Sequence, residues 1–229
     1  MIPVIAIDGP SGSGKGAVSR RVAAALGWHL LDSGSLYRLV ALAGTRAGLD
    51  PADEAGHAAA AAALDIGFGV DERGGERVLL DGNDVSGEIR SEASGAAASR
   101  VAAWPAVRRA LLVRQRGFMQ PPGLVADGRD MGSIVFPDAG LKVFLTASPE
   151  ERALRRHKQL KEKGLGGNLA ALSAEIAARD RRDATRKVAP LVACVDSVVL
   201  DTTSMDIESV VNRVLALARE RWPGPQQTD

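Results

Sequence analysis

The chain has 229 residues, a net charge of +1 at pH 7 and hydrophobic residues at 45% of its positions. This length can bury a sizeable core, and one domain with insertions is the simplest expectation. So small a net charge gives no strong field toward nucleic acid or an anionic membrane, and no stretch approaches the roughly 18 apolar residues of a membrane span. The single cysteine, Cys194, excludes an internal disulfide. We also expect no signal peptide, because the first apolar run is short and leads straight into a glycine-rich loop, and therefore predict a cytoplasmic protein.

The first predicted strand, Val4–Ile7, leads into a glycine-rich loop and then a helical pattern. The loop reads Asp8-Gly9-Pro10-Ser11-Gly12-Ser13-Gly14-Lys15-Gly16. The backbone N–H groups of such a loop can surround phosphate oxygens, and Lys15 can reach the β- and γ-phosphates of a nucleotide. This order of strand, loop and helix is that of a P-loop. The predicted helix ends at Gly27. The face that it turns to the core consists of Val18, Val22, Ala25 and Leu26.

One position of this loop departs from the usual P-loop form, because a glycine stands where a serine or threonine normally follows the lysine. Gly16 follows the lysine and Ala17 comes next, so neither position offers a hydroxyl to coordinate Mg²⁺. We therefore expect the metal to be held by phosphates, water and carboxylates elsewhere.

The second predicted strand, Trp28–Leu31, ends in Asp32-Ser33-Gly34, and Arg38 follows in the next helix. Ligands of open α/β sheets lie at the carboxyl ends of the strands, so we expect Ser33 and Arg38 to face the same crevice as the loop. A serine helix cap and a surface arginine are the alternative interpretation.

A long region between the second and third core strands, residues 33–123, carries its own pattern. An alanine-rich helix (58–63) is followed by alternating segments at 64–68 and 77–80, with turns at Gly74-Gly75 and Gly82-Asn83. We predict a small antiparallel sheet here, followed by helices that contain residues 96–101 and 107–118.

The third core strand, Leu124–Ala126, ends in Asp127-Gly128-Arg129-Asp130. An apolar strand that ends in an aspartate beside a P-loop is typical of a Mg²⁺–water ligand, and we assign that role to Asp127. A turn rich in Asp and Gly is the alternative.

Two charged segments follow the fourth core strand, Lys142–Leu145. The basic segment 152–167 is interpreted as a lid that closes arginines over phosphates, with an ordinary solvated helix face as the alternative. Its candidate residues are Arg152, Arg155 and Arg156. Further on, Arg179, Asp183 and Arg186 continue an apolar helical stripe, which predicts charges that point into a cleft; a solvated ladder of ion pairs is the alternative.

The fifth core strand, Val198–Leu200, precedes a last helix with a core stripe that consists of Ile207, Val210, Val211, Val214, Leu215 and Ala218. Five β-rich runs separated by helices predict an α/β fold, a P-loop NTPase-type five-stranded parallel sheet flanked by helices. We expect residues 1–32, 124–151 and 168–222 to form the core. Residues 33–123 are then an insert that contains the small sheet, and residues 152–167 are a short lid.

Together these segments resemble one family, the bacterial cytidylate kinases, which are P-loop nucleoside monophosphate kinases. The resemblance is carried by the loop 7–16 and by four further motifs and covers nearly the whole chain. The motifs are Leu31-Asp32-Ser33-Gly34-Ser35-Leu36-Tyr37-Arg38, Asp84-Val85-Ser86-Gly87-Glu88-Ile89-Arg90, Ala126-Asp127-Gly128-Arg129-Asp130-Met131-Gly132 and Ala189-Pro190-Leu191. Ala17 departs from the family's usual threonine.

The resemblance implies that ATP, with Mg²⁺, phosphorylates CMP or dCMP to the diphosphate, and that the insert of residues 33–123 binds the monophosphate. It implies that Lys15, Arg129 and Arg186 are catalytic, and that Arg38, Arg129 and Arg186 hold the monophosphate. The sugar would be held by Arg179 and Asp183, and the cytosine region would be lined by Ser33, Ser99, Arg108 and Asp130. The implied ATP-binding residues are Gly9, Pro10, Ser11, Gly12, Ser13, Gly14, Lys15, Gly16 and Ala17.

Several other functions are compatible with a P-loop. Another nucleoside monophosphate kinase or a shikimate kinase is the nearest alternative, although the long insert favours the cytidylate interpretation. A GTPase would need a guanine-reading Asn-Lys-x-Asp, and the sequence has no such string. A non-catalytic nucleotide-binding protein is a further alternative. We expect a monomer whose partners are ATP and CMP or dCMP.

Overall fold

The computed structural model describes residues 1–70, 76–162 and 168–223. Its main sheet contains the strands β1 (Val4–Asp8), β2 (His29–Asp32), β6 (Leu124–Gly128), β7 (Leu141–Thr146) and β8 (Val198–Asp201). They lie in the order β2-β6-β1-β7-β8, and every neighbouring pair is parallel. The predicted five-stranded parallel sheet is confirmed.

The central strand, β1, is buried along its whole length. A strand covered on both faces needs an apolar run rather than an alternating one, which explains the sequence of residues 4–7. The core on one side joins this strand to the helices α1 (Lys15–Leu26) and α8 (Ile207–Arg221). Its largest fully buried members include Ile5, Ile7 and Leu145.

Two further helices lie in the chain between the strands β7 and β8: α6 (Pro149–Glu162) and α7 (Leu169–Thr185). A five-residue π-helical turn, Met131–Val135, follows β6. The Ser148 hydroxyl caps α6 by accepting from the Glu151 N–H at 3.2 Å, and Asp206 caps α8 by accepting from the Ser209 N–H at 2.7 Å. These caps satisfy N–H groups that the first helical turn leaves without partners.

Residues 33–115 form a second compact unit. It contains α2 (Ser33–Arg46), α3 (Glu54–Ala63) and α4 (Glu92–Val101). It also contains α5 (Pro105–Gly117) except for the last two residues of that helix. Its sheet has the order β3 (Ile66–Val70), β4 (Glu76–Leu80) and β5 (Asn83–Asp84), with antiparallel pairing throughout. The predicted small antiparallel sheet is confirmed, whereas the predicted turn at Gly74-Gly75 lies outside the described residues.

The other compact unit combines the described residues of 1–32 and 116–229. Two details of the predicted helix faces are wrong. Ala23 rather than Ala25 is buried in α1, and Ile207 is 41% exposed because it sits in the first turn of α8, ahead of the stripe that packs on the sheet. Residues 163–167 of the predicted lid lie outside the described residues.

The glycine-rich loop between β1 and α1 requires glycine at its first position. A Cβ on Gly9, whose φ is +155°, would lie 2.1 Å from the Leu145 carbonyl oxygen. Gly27, which ends α1 with a φ of +66°, has open space where a Cβ would stand. Gly9 is therefore required both by its close contact with β7 and by its φ angle, whereas Gly27 is required by its φ angle alone.

We predict that Gly9→Ala lowers the free energy of unfolding by about 3 kcal/mol or more, because it adds a backbone clash to an unfavourable φ. Gly27→Ala, the matched control, should cost only about 1–2 kcal/mol. Urea unfolding of both variants measures the difference. Equal losses would contradict the close approach of the loop to β7.

Candidate active site

The glycine-rich loop ends where Lys15 begins α1. Gly14 adopts a left-handed conformation there, with φ of +87°, so the loop turns sharply into the helix. The Lys15 ammonium is buried and donates to the Pro10 carbonyl at 2.9 Å. Burial, together with the nearby Arg129 and Arg179, lowers the pKa of Lys15 to about 7, although Asp127 acts in the opposite direction.

Asp127, at the carboxyl end of β6, is the buried carboxylate of this group. Burial raises its pKa to about 7, while Lys15 acts to lower it. A Cβ on Gly16 would stand 3.2 Å from Asp127 Oδ2. A side chain at position 16 would therefore require the Asp127 carboxylate to shift by a few tenths of an ångström.

A second carboxylate, Asp183 on α7, is surrounded by arginines. Arg129 Nε donates to Asp183 Oδ2 at 3.1 Å, and Arg179 Nε lies 3.9 Å from the same oxygen. Burial raises the pKa of Asp183, but Arg129, Arg179 and Arg186 outweigh it and hold the pKa below the usual range. The carboxylate thus neutralises arginines that the sequence assigned to an acceptor phosphate and sugar.

The end of α7 also approaches the glycine-rich loop and the turn after β6. Arg179 Nη1 lies 3.5 Å from the Ser11 hydroxyl. Arg186, which follows the last residue of α7, has Nη2 4.0 Å from Asp130 Oδ1 and donates through Nε to the Ala189 carbonyl. The structure therefore brings Lys15, Arg129, Asp130 and the α7 residues into one neighbourhood around the loop.

Four predicted CMP-binding residues lie in the second unit. Ser33 begins α2 and is buried, as is Ser99 on α4. Arg38 donates to the carbonyls of Ile89 and Ser91, the latter at 3.2 Å. Arg108 donates to the Ala102 carbonyl at 3.1 Å, and its guanidinium lies 5.8 Å from the Tyr37 ring centre. Within that unit, the two arginines are thus held by main-chain carbonyls.

The three predicted lid arginines take different places. Arg152 is buried; it donates to the carbonyls of Ala147 and Ser11, both at 3.0 Å, and pairs with Asp180 at 2.6 Å. Through the Ser11 carbonyl, Arg152 holds the main chain of the glycine-rich loop. Arg155 and Arg156 instead line a cavity of about 490 Å³ beside the loop.

This cavity is bounded by residues 12–14 and the start of α1, by one face of α6, and by residues 202–207. Arg155 pairs with Glu151 at 2.8 Å and donates to the Thr202 hydroxyl at 3.0 Å. Ile207 lines the cavity, which accounts for its absence from the core stripe. The cavity has apolar walls and charged walls next to the glycine-rich loop. Its charged lining residues are Arg155, Arg156, Lys158, Glu151, Glu162 and Asp206.

Three residues that hold this site together are absent from the predicted site. Asp180 and Thr202 could not be found from pattern, because their importance depends on partners more than 20 residues away. Asp8 carried a signal, since a carboxylate ends an otherwise apolar strand. Its oxygens accept from the N–H groups of Met131 and Gly132, both at 2.8 Å.

A model of the cytidylate kinase family matches residues 5–220. The chain belongs to the cytidylate kinase family. It is 55% identical over 218 residues to a cytidylate kinase of Methylococcus capsulatus, covering 95% of this chain and 97% of the relative. It is 56% identical over 215 residues to a cytidylate kinase of Pseudomonas fluorescens, covering 93% and 94%. It is 54% identical over 219 residues to a cytidylate kinase of an Enterobacter species, and the match covers 96% of each chain.

The chain is accordingly a phosphotransferase that phosphorylates CMP and dCMP, and the resemblance inferred from its motifs is confirmed. The shikimate kinase and non-catalytic alternatives are not favoured. Within the part of the chain that is described, no helix is long and apolar enough to cross a membrane.

We predict that ATP binding weakens as pH rises above about 7, because Lys15 then loses the proton that attracts the phosphates. The loss should be at most about tenfold in affinity per pH unit. Calorimetric titration of ATP without Mg²⁺, from pH 6.5 to 9, measures it.

Lys15→Arg is the control, since a guanidinium stays charged throughout this range. Its ATP affinity should stay nearly constant above pH 7.5. The same pH dependence in both proteins would remove Lys15 as its cause.

Proposed function

We propose that the carboxyl edge of the main sheet transfers the γ-phosphoryl group of ATP to a phosphate oxygen of CMP or dCMP. The new bond joins the acceptor oxygen to the γ-phosphorus, and the bond from that phosphorus to the β,γ-bridging oxygen breaks. The observation that carries this proposal is the convergence of Lys15, Arg129 and Arg179 near one loop, with Asp183 neutralising two of them. Such a cluster can exchange its internal ion pairs for phosphate oxygens.

On the donor side, the loop from Gly9 to Ala17 would surround the ATP phosphates with main-chain N–H groups and the N-terminal end of α1. Lys15 would leave the Pro10 carbonyl and neutralise charge on the transferring group. The cavity lined by Arg155 and Arg156 would take the nucleoside part of ATP, because it adjoins the loop and is large enough for a base and sugar.

On the acceptor side, Arg129 and Arg186 would hold the CMP phosphate, and Arg179 and Asp183 the sugar. Asp130 would accept from the exocyclic amine of cytosine. The second unit would contribute Ser33, Arg38, Ser99 and Arg108 to the phosphate and base. Phosphoryl transfer needs positioning and charge neutralisation more than covalent chemistry, and these groups supply both.

Mg²⁺ fits this site as a partner of the phosphates. No group of three or more potential metal ligands occurs among the described side chains. Mg²⁺ at kinase sites usually keeps several waters and binds one or two carboxylates plus substrate phosphates, and Asp127 is a suitable carboxylate next to Lys15 and Gly16. When bound, the ion would neutralise charge on the β- and γ-phosphates. We further propose a cytoplasmic monomer with no nucleic acid or membrane partner.

The proposal is tested by ADP release with each nucleoside monophosphate. CMP and dCMP should support turnover and UMP much less, because uracil presents an oxygen where cytosine presents an amine. In Asp130→Ala the rate with CMP should fall more than the rate with UMP. The ratio of these two rates, which can reach about 10⁴ at such a site, should therefore decrease. Equal losses with both substrates would assign Asp130 to positioning instead of base reading.

Asp183→Ala should raise the KM for CMP by at least about tenfold and change the KM for ATP much less, because a carboxylate on the sugar hydroxyls is lost. Glu175→Ala, an exposed carboxylate on the same helix, is the control and should change neither constant. A rise in the KM for ATP alone would place Asp183 on the donor side.

A further inference from the structure

Asp8 is a buried carboxylate at the end of the central strand, and its two oxygens have separate partners. Oδ1 accepts from the Met131 N–H and Oδ2 from the Gly132 N–H, each at 2.8 Å. The side chain belongs to a residue that is only 6% exposed. Asp8 thus binds a turn 123 residues further along the chain through both of its oxygens.

The two N–H groups belong to the first turn of the π-helical segment Met131–Val135. The first N–H groups of any helical turn have no partner within it, and buried N–H groups without partners are costly. The side chain of Asp130, which precedes this turn, provides no cap. Asp8 caps the turn from a neighbouring strand instead.

Such burial of a carboxylate is itself unfavourable. Burial raises the pKa of Asp8 to about 6, and the two N–H groups counteract that rise. Hydrophobic side chains fill the four preceding positions of β1, and an apolar residue at position 8 would avoid the cost of desolvation. The pattern fits a carboxylate retained for the position that it gives the turn.

The turn that Asp8 holds directly follows two acceptor-site residues. Arg129 and Asp130 immediately precede Met131, and their main chain is continuous with the two N–H groups. Arg129 also donates to Asp183, and Asp130 lies near Arg186. A shift of the turn would therefore displace the guanidinium and the carboxylate together.

We propose that Asp8 is a positioning residue for the acceptor site, which fixes Arg129 and Asp130 by capping the turn at Met131 and Gly132. This inference rests on the proposed roles of Arg129 and Asp130. Asp8 touches neither substrate in this account and acts through the main chain of the turn. The alternative is that Asp8 contributes only to the stability of the fold.

Asp8→Asn tests the proposal, because the amide keeps one acceptor oxygen and turns an NH₂ group toward the second N–H. The KM for CMP should rise by about tenfold or more, the preference for CMP over UMP should narrow, and the KM for ATP should change less than about threefold. The control is Asp53→Asn: this carboxylate also accepts from a main-chain N–H, that of Gly56, at the start of α3. It should change neither selectivity nor KM.

A second measurement does not depend on catalysis. Hydrogen exchange of the ligand-free protein should show faster exchange in Asp8→Asn confined to about residues 129–133, and no such change in Asp53→Asn. If Asp8→Asn does not fold, Asp8→Glu is judged by the same criteria, since the longer side chain keeps the charge and misplaces the oxygens.

Unchanged CMP constants in a folded variant, or equal losses for ATP and CMP, would overturn the positioning role. Unchanged exchange at residues 129–133 would also overturn it. If the turn exchanges faster while CMP selectivity stays normal, the capping is real but the positioning proposal is wrong. If the unmodified enzyme shows no preference for CMP over UMP, the proposed base reading by Asp130 fails instead.

Discussion

Lys15 lies buried at the start of α1. Removal from solvent lowers its pKa to about 7, and the nearby Asp127 carboxylate limits this decrease in pKa. Removing two charges from water is costly, and their mutual attraction repays the cost only when the geometry is fixed. The same condition applies to Asp183 and the arginines around it. The site therefore depends on a scaffold that holds charges in place before any nucleotide arrives, and such preorganisation is the main source of electrostatic stabilisation in phosphoryl transfer.

The scaffold fixes these charges through main-chain contacts at the carboxyl edge of the sheet. Gly9 lets the loop pass against Leu145, and Arg152 holds the Ser11 carbonyl from α6 while pairing with Asp180 on α7. Asp8 holds the turn after β6. These contacts join loop, strands and helices into one frame, so the cations on it keep their spacing when phosphates replace their internal partners.

Much of the fold could be predicted because its signals are local. Short apolar runs marked each core strand, and alternation marked the inserted sheet. The glycine-rich loop, Asp127 and the α7 charges could be assigned from residue type and position after a strand or along a helix. The predictions of Ala25 and Ile207 as core residues are wrong, because helical periodicity indicates a face but not its width or where the sheet beneath it ends.

What the sequence could not give depends on long-range pairing. Arg152 resembles its neighbours on a basic helix, yet it is buried against main-chain carbonyls while Arg155 and Arg156 line the cavity. Ser148 and Glu151 have the spacing of a capping box but form only half of one, since Glu151 pairs with Arg155 and the Ser148 N–H donates to Thr203. The partner of a charged side chain is set by the tertiary fold, and several partners of similar chemistry compete for it.

The central claim is that the ligand-free scaffold holds Lys15 in a buried, electrostatically tuned position. Nuclear magnetic resonance titration of ¹³Cε-labelled lysine tests it most directly, because the chain has only six lysines (15, 142, 158, 161, 163 and 187). Lys15→Arg identifies the resonance by its loss. The account predicts a midpoint near pH 7 in the free protein, a lower one in Asp127→Asn and a higher one with ATP bound. A midpoint near the ordinary lysine value of about 10.4, unchanged by Asp127→Asn, would contradict it.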